Sequence, residues 1–187
     1  MNEFIEFCNK MSQLDEATIT ELERILKLKR ASKNEYLAYS NNLSKELFFI
    51  RKGIVKFCFN GDGKEFIMRF FEENILFSDI ESYTQRKFSK YNIIAIENTE
   101  YFSMSFFEFE QLCLKHHKLE TFFRKFMVRA NLNMMARISE ILEEDAKKRY
   151  SNFIVKNPKL LERISLGDLA NYLGITQVSL SRIRATK

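Results

Sequence analysis

The sequence predicts an α+β protein in three successive parts: an N-terminal antiparallel β jelly roll with flanking helices, a long dimerisation helix, and a C-terminal all-α helix-turn-helix segment. Three observations carry this. From about Tyr36 to Met104, short apolar and aromatic runs are bounded by polar clusters, with no helical period between them. From Lys118 onward, Phe122, Phe126, Ala130, Met134, Ile138 and Ile141 recur at three-to-four spacing over several turns. From Ile164 to Arg184, two short helix patterns flank a single glycine, Gly174.

Taken in order, residues 1 to 30 read as helix, with Phe4, Phe7 and Met11 at helical spacing and Thr18-x-x-Glu21 as a capping box ahead of Leu22, Ile25 and Leu26. The strand runs are Leu47 to Ile50, Ile54 to Phe59, Phe66 to Phe71, Tyr91 to Ile96 and Tyr101 to Met104. Asn60-Gly61-Asp62-Gly63-Lys64 separates the second and third of them. Glycines that tolerate positive φ predict a tight hairpin there, so those two strands are adjacent and antiparallel. Several short strands without intervening helices close into a sandwich or jelly roll rather than a parallel sheet.

After Ser105 a helix begins with Phe106, Phe109, Leu112 and Cys113, and the long helix follows. A helix so long and apolar needs a partner, and a second copy of the chain is favoured over burial within a monomer. The acidic cluster Glu143-Glu144-Asp145, followed by Lys147-Lys148-Arg149, marks a joint. Tyr150, Phe153, Ile154 and Val155 form the apolar side of one more helix, which Asn157-Pro158 ends.

Composition narrows the function classes. With 187 residues, 45% hydrophobic residues, 19 Phe, five Gly and one Pro, the chain has enough bulky apolar mass for real cores. No apolar run approaches the roughly 18 residues that span a bilayer, and Glu3 and Glu6 interrupt the place of a secretory signal, so a cytoplasmic chain is expected. Cys8, Cys58 and Cys113 are far apart and form no C-x-x-C pair, which fits reduced thiols and excludes a four-cysteine iron–sulfur cluster. His116-His117, the sole histidine pair, reads as a solvated helix end. Without a glycine-rich phosphate loop, a nucleophile elbow or paired carboxylates, no enzyme, cofactor or metal is expected.

The net charge of +5 is unevenly spread: residues 1 to 146 carry −2 and residues 147 to 187 carry +7. A basic end on a nearly neutral body is the pattern of a chain that meets a polyanion there. Within that end, Ser165-x-x-Asp168 forms a capping box opening a helix with Leu169, Ala170 and Leu173 inward. Gly174 suits a left-handed turn, Ile175 plugs the space between helices, and Thr176 caps a second helix with Leu180 and Ile183 inward. In a helix-turn-helix that second helix enters the DNA major groove. Outward-facing Arg182 suits the two acceptors of guanine, Gln177 an adenine edge, and Val178 a thymine methyl. Thr176, Ser179, Arg184 and Lys187 suit phosphates. The alternative is a helical hairpin that caps a bundle.

Over nearly its whole length the chain resembles the Crp/Fnr family of bacterial transcription regulators. The stretch ELFFIRKGIVKFCFNGDGKEFIMRFF, with Gly53 after a strand and the GDGKE hairpin, is similar to that family's cyclic-nucleotide-binding-type jelly roll. NPKLLERISLGDLANYLGITQVSLSRIR is similar to its DNA-reading helices, especially of short members that do not respond to cyclic AMP. The resemblance implies a cyclic-nucleotide-binding-like sensor domain with the dimer helix over 1–142, and a helix-turn-helix DNA-binding domain over 143–187 that lacks the C-terminal β-wing of longer members. It implies a homodimer on a twofold-symmetric site, with DNA contacts from Thr176, Gln177, Val178, Ser179, Arg182 and Arg184. The implied partners are double-stranded DNA, a second copy of the chain, RNA polymerase and an unidentified small-molecule effector, with no membrane.

Two departures from the family are visible. Members that read TGTGA carry Arg and Glu where this chain has Gln177 and Val178, so a different DNA sequence is expected. Members that bind a cyclic nucleotide cradle its phosphate with a Gly-Glu pair and an Arg-Ser pair, whereas the matching places here read Ser78-Asp79 and Ser89-Lys90. Without the arginine a buried phosphate loses its main counter-charge, so cyclic AMP is not the expected ligand. Another effector in that cavity would meet Ser78, Asp79, Ser89, Lys90 and Asn131. Asn131 with Asn133 suits a polar pair fixing dimer register equally well. A rival reading is a ligand-binding or protein-interaction module with a vestigial helix-turn-helix.

Overall fold

Alternating burial along the strands sets the layers of the computed structural model, which describes residues 2–185. Eight strands form two four-stranded antiparallel sheets. The first runs in the order β1 (Lys27–Ala31), β8 (Thr99–Ser105), β3 (Glu46–Lys52), β6 (Leu76–Phe77). The second runs β2 (Tyr36–Ala38), β7 (Asn92–Ala95), β4 (Val55–Gly61), β5 (Lys64–Phe71). Strand β3 shows why the sheets stack: Phe48 and Ile50 face the inter-sheet core with Val55, Phe77, Ile93 and Tyr101, while Leu47 and Phe49 face the other way. A strand buried on both faces reads as an unbroken apolar run, which is what Leu47 to Ile50 is.

That second face of the first sheet is covered by α1 (Glu3–Asn9), α2 (Glu16–Ile25), α4 (Phe106–Lys115) and the start of α5 (His117–Glu143). Phe4 and Phe7 lie 5.2 and 5.4 Å from the ring of Phe49, and both meet Phe122 edge-on. The outer face of the second sheet, with Ile54, Cys58, Ile67, Phe70, Ile94 and Ile96, is covered by C-terminal helices. These are α6 (Ala146–Lys156), α7 (Pro158–Arg163), α8 (Leu166–Leu173) and α9 (Gln177–Ala185). Tyr150, Phe153, Leu160, Leu169, Leu173 and Leu180 join one apolar cluster with the sheet. The order is therefore helices, sheet, sheet, helices.

The β4–β5 hairpin forms as the sequence predicts, but Asp62 and Gly63, at φ 50° and 73°, take the positive backbone angles rather than Gly61. A bulge follows it: Phe57 pairs with Arg69 and Cys58 with Ile67, leaving Met68 as the extra residue. The helical reading of residues 1 to 30 is corrected. Asp15, not Thr18, caps α2, accepting from the Thr18 N–H and hydroxyl at 2.9 and 2.7 Å, and residues 27–31 are a strand. Pro158 does end α6, but it also opens α7, since a first-turn position needs no N–H donor. Val155 is 80% exposed instead of facing the core.

Helix α5 is 27 residues, about 40 Å, and buries only Leu119 and Phe122 fully. Beyond Phe126 it leaves the helical layer, with Val128, Leu132, Met135 and Leu142 exposed at helical spacing. Among the described residues no helix is long and apolar enough to cross a membrane.

Candidate functional site

The predicted effector positions gather around the start of α3 (Ile80–Gln85). Asp79 is buried and caps that helix: its carboxylate accepts from the Ser82 N–H at 3.1 Å with one oxygen and from the Ser89 hydroxyl with the other. The Ser78 hydroxyl donates to the Glu46 carbonyl at 2.8 Å, and the Ser89 oxygen accepts from the Tyr91 N–H at 2.9 Å. Asp79 thus has both carboxylate oxygens engaged inside the protein, and its charge holds the α3 turn. Lys90 turns outward, its ammonium 5.0 Å from the centre of the Tyr91 ring. Asn131 is exposed on α5 and lines neither of the two cavities described next. Three of the five positions therefore come together, and two do not.

Asp79 sits between two spaces. A cavity of about 350 Å³ lies beside Leu37, Phe48, Phe57, Asp79 and Ser89. A larger groove of about 720 Å³ runs between the second sheet, α5 and α8. Phe57, Phe66, Met68, Phe123, Met134 and Ile138 supply much of its apolar wall. Arg69, Arg137, Arg149 and Tyr172 also line it, and sequence reasoning missed all four as site residues. The one available signal was Arg69 itself, a lone cation within the aromatic run Phe66 to Phe71.

The groove is closed at one side by how α8 is seated. The Lys56 ammonium bridges Glu65 at 2.8 Å and Asp168 at 2.9 Å, joining β4, β5 and α8. Arg137 donates to the Tyr172 carbonyl at 2.7 Å and lies 4.0 Å above the Tyr172 ring, while Arg149 donates to the Leu173 carbonyl at 3.1 Å. These two carbonyls end α8 and have no helical partner of their own. Arg163 at the end of α7 pairs with Glu73 at 2.7 Å and with Glu97, and the same Glu73 oxygen also accepts from the Gly53 N–H at 2.8 Å.

The Arg163 guanidinium, with help from the Gly53 N–H, holds Glu73 at about 2 against the opposing effect of burial. Because the folded protein binds that proton more weakly, the contribution of Glu73 to stability is full above its ordinary value of 4.5 and is lost as pH falls from there towards about 2. Urea unfolding between pH 5 and 2.5 is expected to show a declining free energy whose slope is reduced in Glu73→Gln; equal slopes would exclude this link.

The second candidate surface is α9. The Thr176 hydroxyl accepts from the Ser179 N–H at 3.1 Å, and the Ser165 hydroxyl accepts from the Asp168 N–H at 3.0 Å, so both short helices are capped at the residues their patterns indicate. Gly174 sits between them at φ 70°. Val178, Ser181, Arg182 and Arg184 are exposed. Gln177 is exposed too, but its amide lies over α8, where a Cβ added to Gly167 would come within 2.8 Å of Nε2. Lys187 lies outside the described residues.

Other chemistry-bearing groups are committed to structure. Burial pushes the Cys58 and Cys113 thiols up to about 12 and raises Cys8 well above its ordinary value, so all three stay protonated at neutral pH. His116 is not solvated as its pattern suggested: its Nε2 is 3.2 Å from the Glu21 carboxylate, beside the ion pair of Lys115 with the same residue. Among the described residues no group of three or more His, Cys, Asp or Glu is placed to hold a metal ion.

The two stacked antiparallel sheets, with a short helix between β6 and β7, are the part of the chain that resembles a known domain. Residues 28–116 match the cyclic nucleotide-binding domain. The matched residues run from β1 to α4 and include Ser78, Asp79, Ser89 and Lys90, and the groove lies on their α5 side. No curated protein matches the sequence. Among solved structures, the c-di-GMP-responsive global regulator CLP of Xanthomonas campestris is similar with a TM-score of 0.74 at 15% identity, over 92% of this chain and 91% of that one. FixK2 of Bradyrhizobium japonicum gives 0.75 at 14% identity, over 87% and 84%. A Crp/Fnr-type regulator of Eubacterium rectale gives 0.73 at 15%, over 92% and 83%. At such identities the likeness is one of fold, and it extends beyond the cyclic nucleotide-binding-type domain into the C-terminal helices.

Proposed function

We propose that this chain is a homodimeric, sequence-specific DNA-binding transcription regulator whose β-domain senses a small molecule other than a cyclic nucleotide. One observation carries the DNA half: a capped, exposed helix, α9, presents Val178, Ser181, Arg182 and Arg184 within the terminal segment of net charge +7. Base reading falls to Gln177, Val178 and Arg182, and phosphate contacts to Thr176, Ser179 and Arg184, after Gln177 swings off Gly167. Residues 143–187 are the reading domain and residues 1–142 the sensor with its dimer helix. The exposed row Val128, Leu132, Met135 and Leu142 on α5 supports pairing with the same row of a second copy. On this reading RNA polymerase is a further partner, and the protein has no catalytic role.

Against a cyclic nucleotide stand Asp79, whose oxygens are already engaged, and Ser89, whose hydroxyl fills the place of a phosphate-binding guanidinium. The reading is tested by incubating the purified protein with fragments of its own genome and sequencing those retained. Enrichment of a shared, roughly twofold-symmetric motif is expected. Retention without a common sequence would overturn sequence-specific reading, and no retention would leave only a ligand-binding or protein-interaction module.

A further inference from the structure

We infer that the groove between the second sheet, α5 and α8 is a binding site for an acyl chain ending in a carboxylate. The inference deepens the sensor half of the proposed function and stands independently of DNA binding.

Shape comes first. The groove's volume of about 720 Å³ lies within the range of roughly 300–1,000 Å³ that holds small-molecule ligands. Its wall follows α5 from Phe123 to Ile141, and at 1.5 Å rise per residue that is about 27 Å of helix. An elongated apolar trough suits an extended chain better than a compact, polar nucleotide. Phe57, Phe66 and Met68 from the sheet and Phe123, Met134 and Ile138 from α5 provide carbon surface on two sides.

Charge then fixes the head group. Arg69 lines the groove, and its side chain makes no hydrogen bond or ion pair among the described residues. Arg137 is balanced by Glu140 at 2.8 Å, and both its carbonyl bond and its stacking place it on Tyr172. Arg149 keeps one buried nitrogen, Nε, without a partner. The carboxylates lining the groove are Asp79 and Glu81, and Asp79 is already engaged by Ser82 and Ser89. A half-buried guanidinium without an acid, beside mostly apolar walls, is complementary to one carboxylate on an apolar body.

The site also touches the reading domain. Arg137 and Arg149 hold the last carbonyls of α8 at the Tyr172–Gly174 edge of the groove. A carboxylate at that edge competes with the Tyr172 carbonyl for Arg137, so occupancy changes how α8, and α9 behind it, is seated.

Titration calorimetry on the full chain tests this with octanoate, decanoate and dodecanoate below their micellar concentrations, and with dodecanol and cyclic AMP as comparisons. Saturable binding of about one dodecanoate per chain is expected, tightening roughly tenfold with each pair of added CH₂ groups. Dodecanol should bind about tenfold more weakly than dodecanoate, the scale of one charge-assisted contact. Arg69→Gln should bring dodecanoate down to the level of dodecanol and leave dodecanol unchanged, while Ala130→Phe, which fills the groove, should abolish both. Equal binding of acid and alcohol, an unaltered Arg69→Gln, preferential binding of cyclic AMP, or no binding at all would each overturn the inference. Sedimentation of the same samples identifies a second copy of the chain as the occupant if dimerisation and not dodecanoate is lost in Ala130→Phe, which also overturns it. Genomic-fragment retention that persists while dodecanoate fails to bind sinks the acyl site alone; the converse sinks the DNA reading alone.

Discussion

Gly53→Ala is expected to destabilise the protein by about 3 kcal/mol or more, because two independent costs coincide at one residue. The first is conformational: Gly53 sits at φ 103°, where an L side chain is strained by about 1–3 kcal/mol. The second is steric: an added Cβ would lie 2.5 Å from the Thr99 hydroxyl oxygen, 2.8 Å from the Thr99 Cα and 3.0 Å from the Asn98 carbonyl. Backbone cannot step aside as a flexible side chain can, and over-packing of this kind costs roughly 1–3 kcal/mol. The turn also carries the N–H that donates to Glu73, and so the anchor of Arg163 and α7. Gly63→Ala is the matched control. Its φ is 73° but a Cβ there meets nothing within 4 Å, so only the conformational cost applies. Urea unfolding of the two variants should separate them clearly; indistinguishable midpoints would contradict the close approach of β8 to the turn.

Arg182→Ala should weaken binding to the selected DNA motif by about 1–3 kcal/mol, roughly 5- to 150-fold, and relax discrimination at one base pair. A guanidinium aimed at guanine carries specificity because its two N–H donors match two acceptors at once. Arg184→Ala is expected to act differently, lowering affinity for motif and scrambled duplex alike, because a phosphate contact carries no sequence information. Both residues are exposed at the end of α9, where Leu180 is buried in the core. The thermal midpoint of Arg184→Ala should be nearly unchanged. Anisotropy with labelled duplexes distinguishes the two behaviours, and an Arg182→Ala variant with unaltered specificity would remove that residue from base reading.

Much of the fold is legible in the sequence because it is written in local pattern. The apolar runs at 47–50, 54–59 and 66–71, and the hairpin between the last two, are strands where periodicity places them. Ser165, Gly174 and Thr176 lie at the helix ends their chemistry indicates. What escapes is structure decided by distant partners. Residues 27–31 read Lys-Leu-Lys-Arg-Ala, too charged for a strand by composition, yet they form an edge paired with β8. Asp15 outcompetes Thr18 as a cap because one carboxylate oxygen serves both the N–H and the hydroxyl of Thr18.

The candidate site follows the same division. Ser78, Asp79 and Ser89 are found by their place in the chain, but that Asp79 is consumed by Ser82 and Ser89 depends on the α3 turn folding back. Lys90, next to Ser89 in the chain, and Asn131, far along it on α5, are both exposed. Arg69, Arg137 and Tyr172 lie far apart along the chain and meet only because α8 docks on the second sheet. The docking face itself mixes Cys58, Ile67 and Phe70 with Lys56, whose ammonium meets Asp168 of α8, so no local pattern marks it.

The proposed DNA-reading role of α9 is tested most directly by the salt dependence of binding to the selected duplex. Anisotropy titrations from about 50 to 200 mM salt should give an affinity that falls linearly on a log–log scale, with a slope near −0.9 for each phosphate contacted, and a motif preference that persists at the higher salt. An affinity independent of salt, or equal affinity for motif and scrambled duplex throughout, would contradict it.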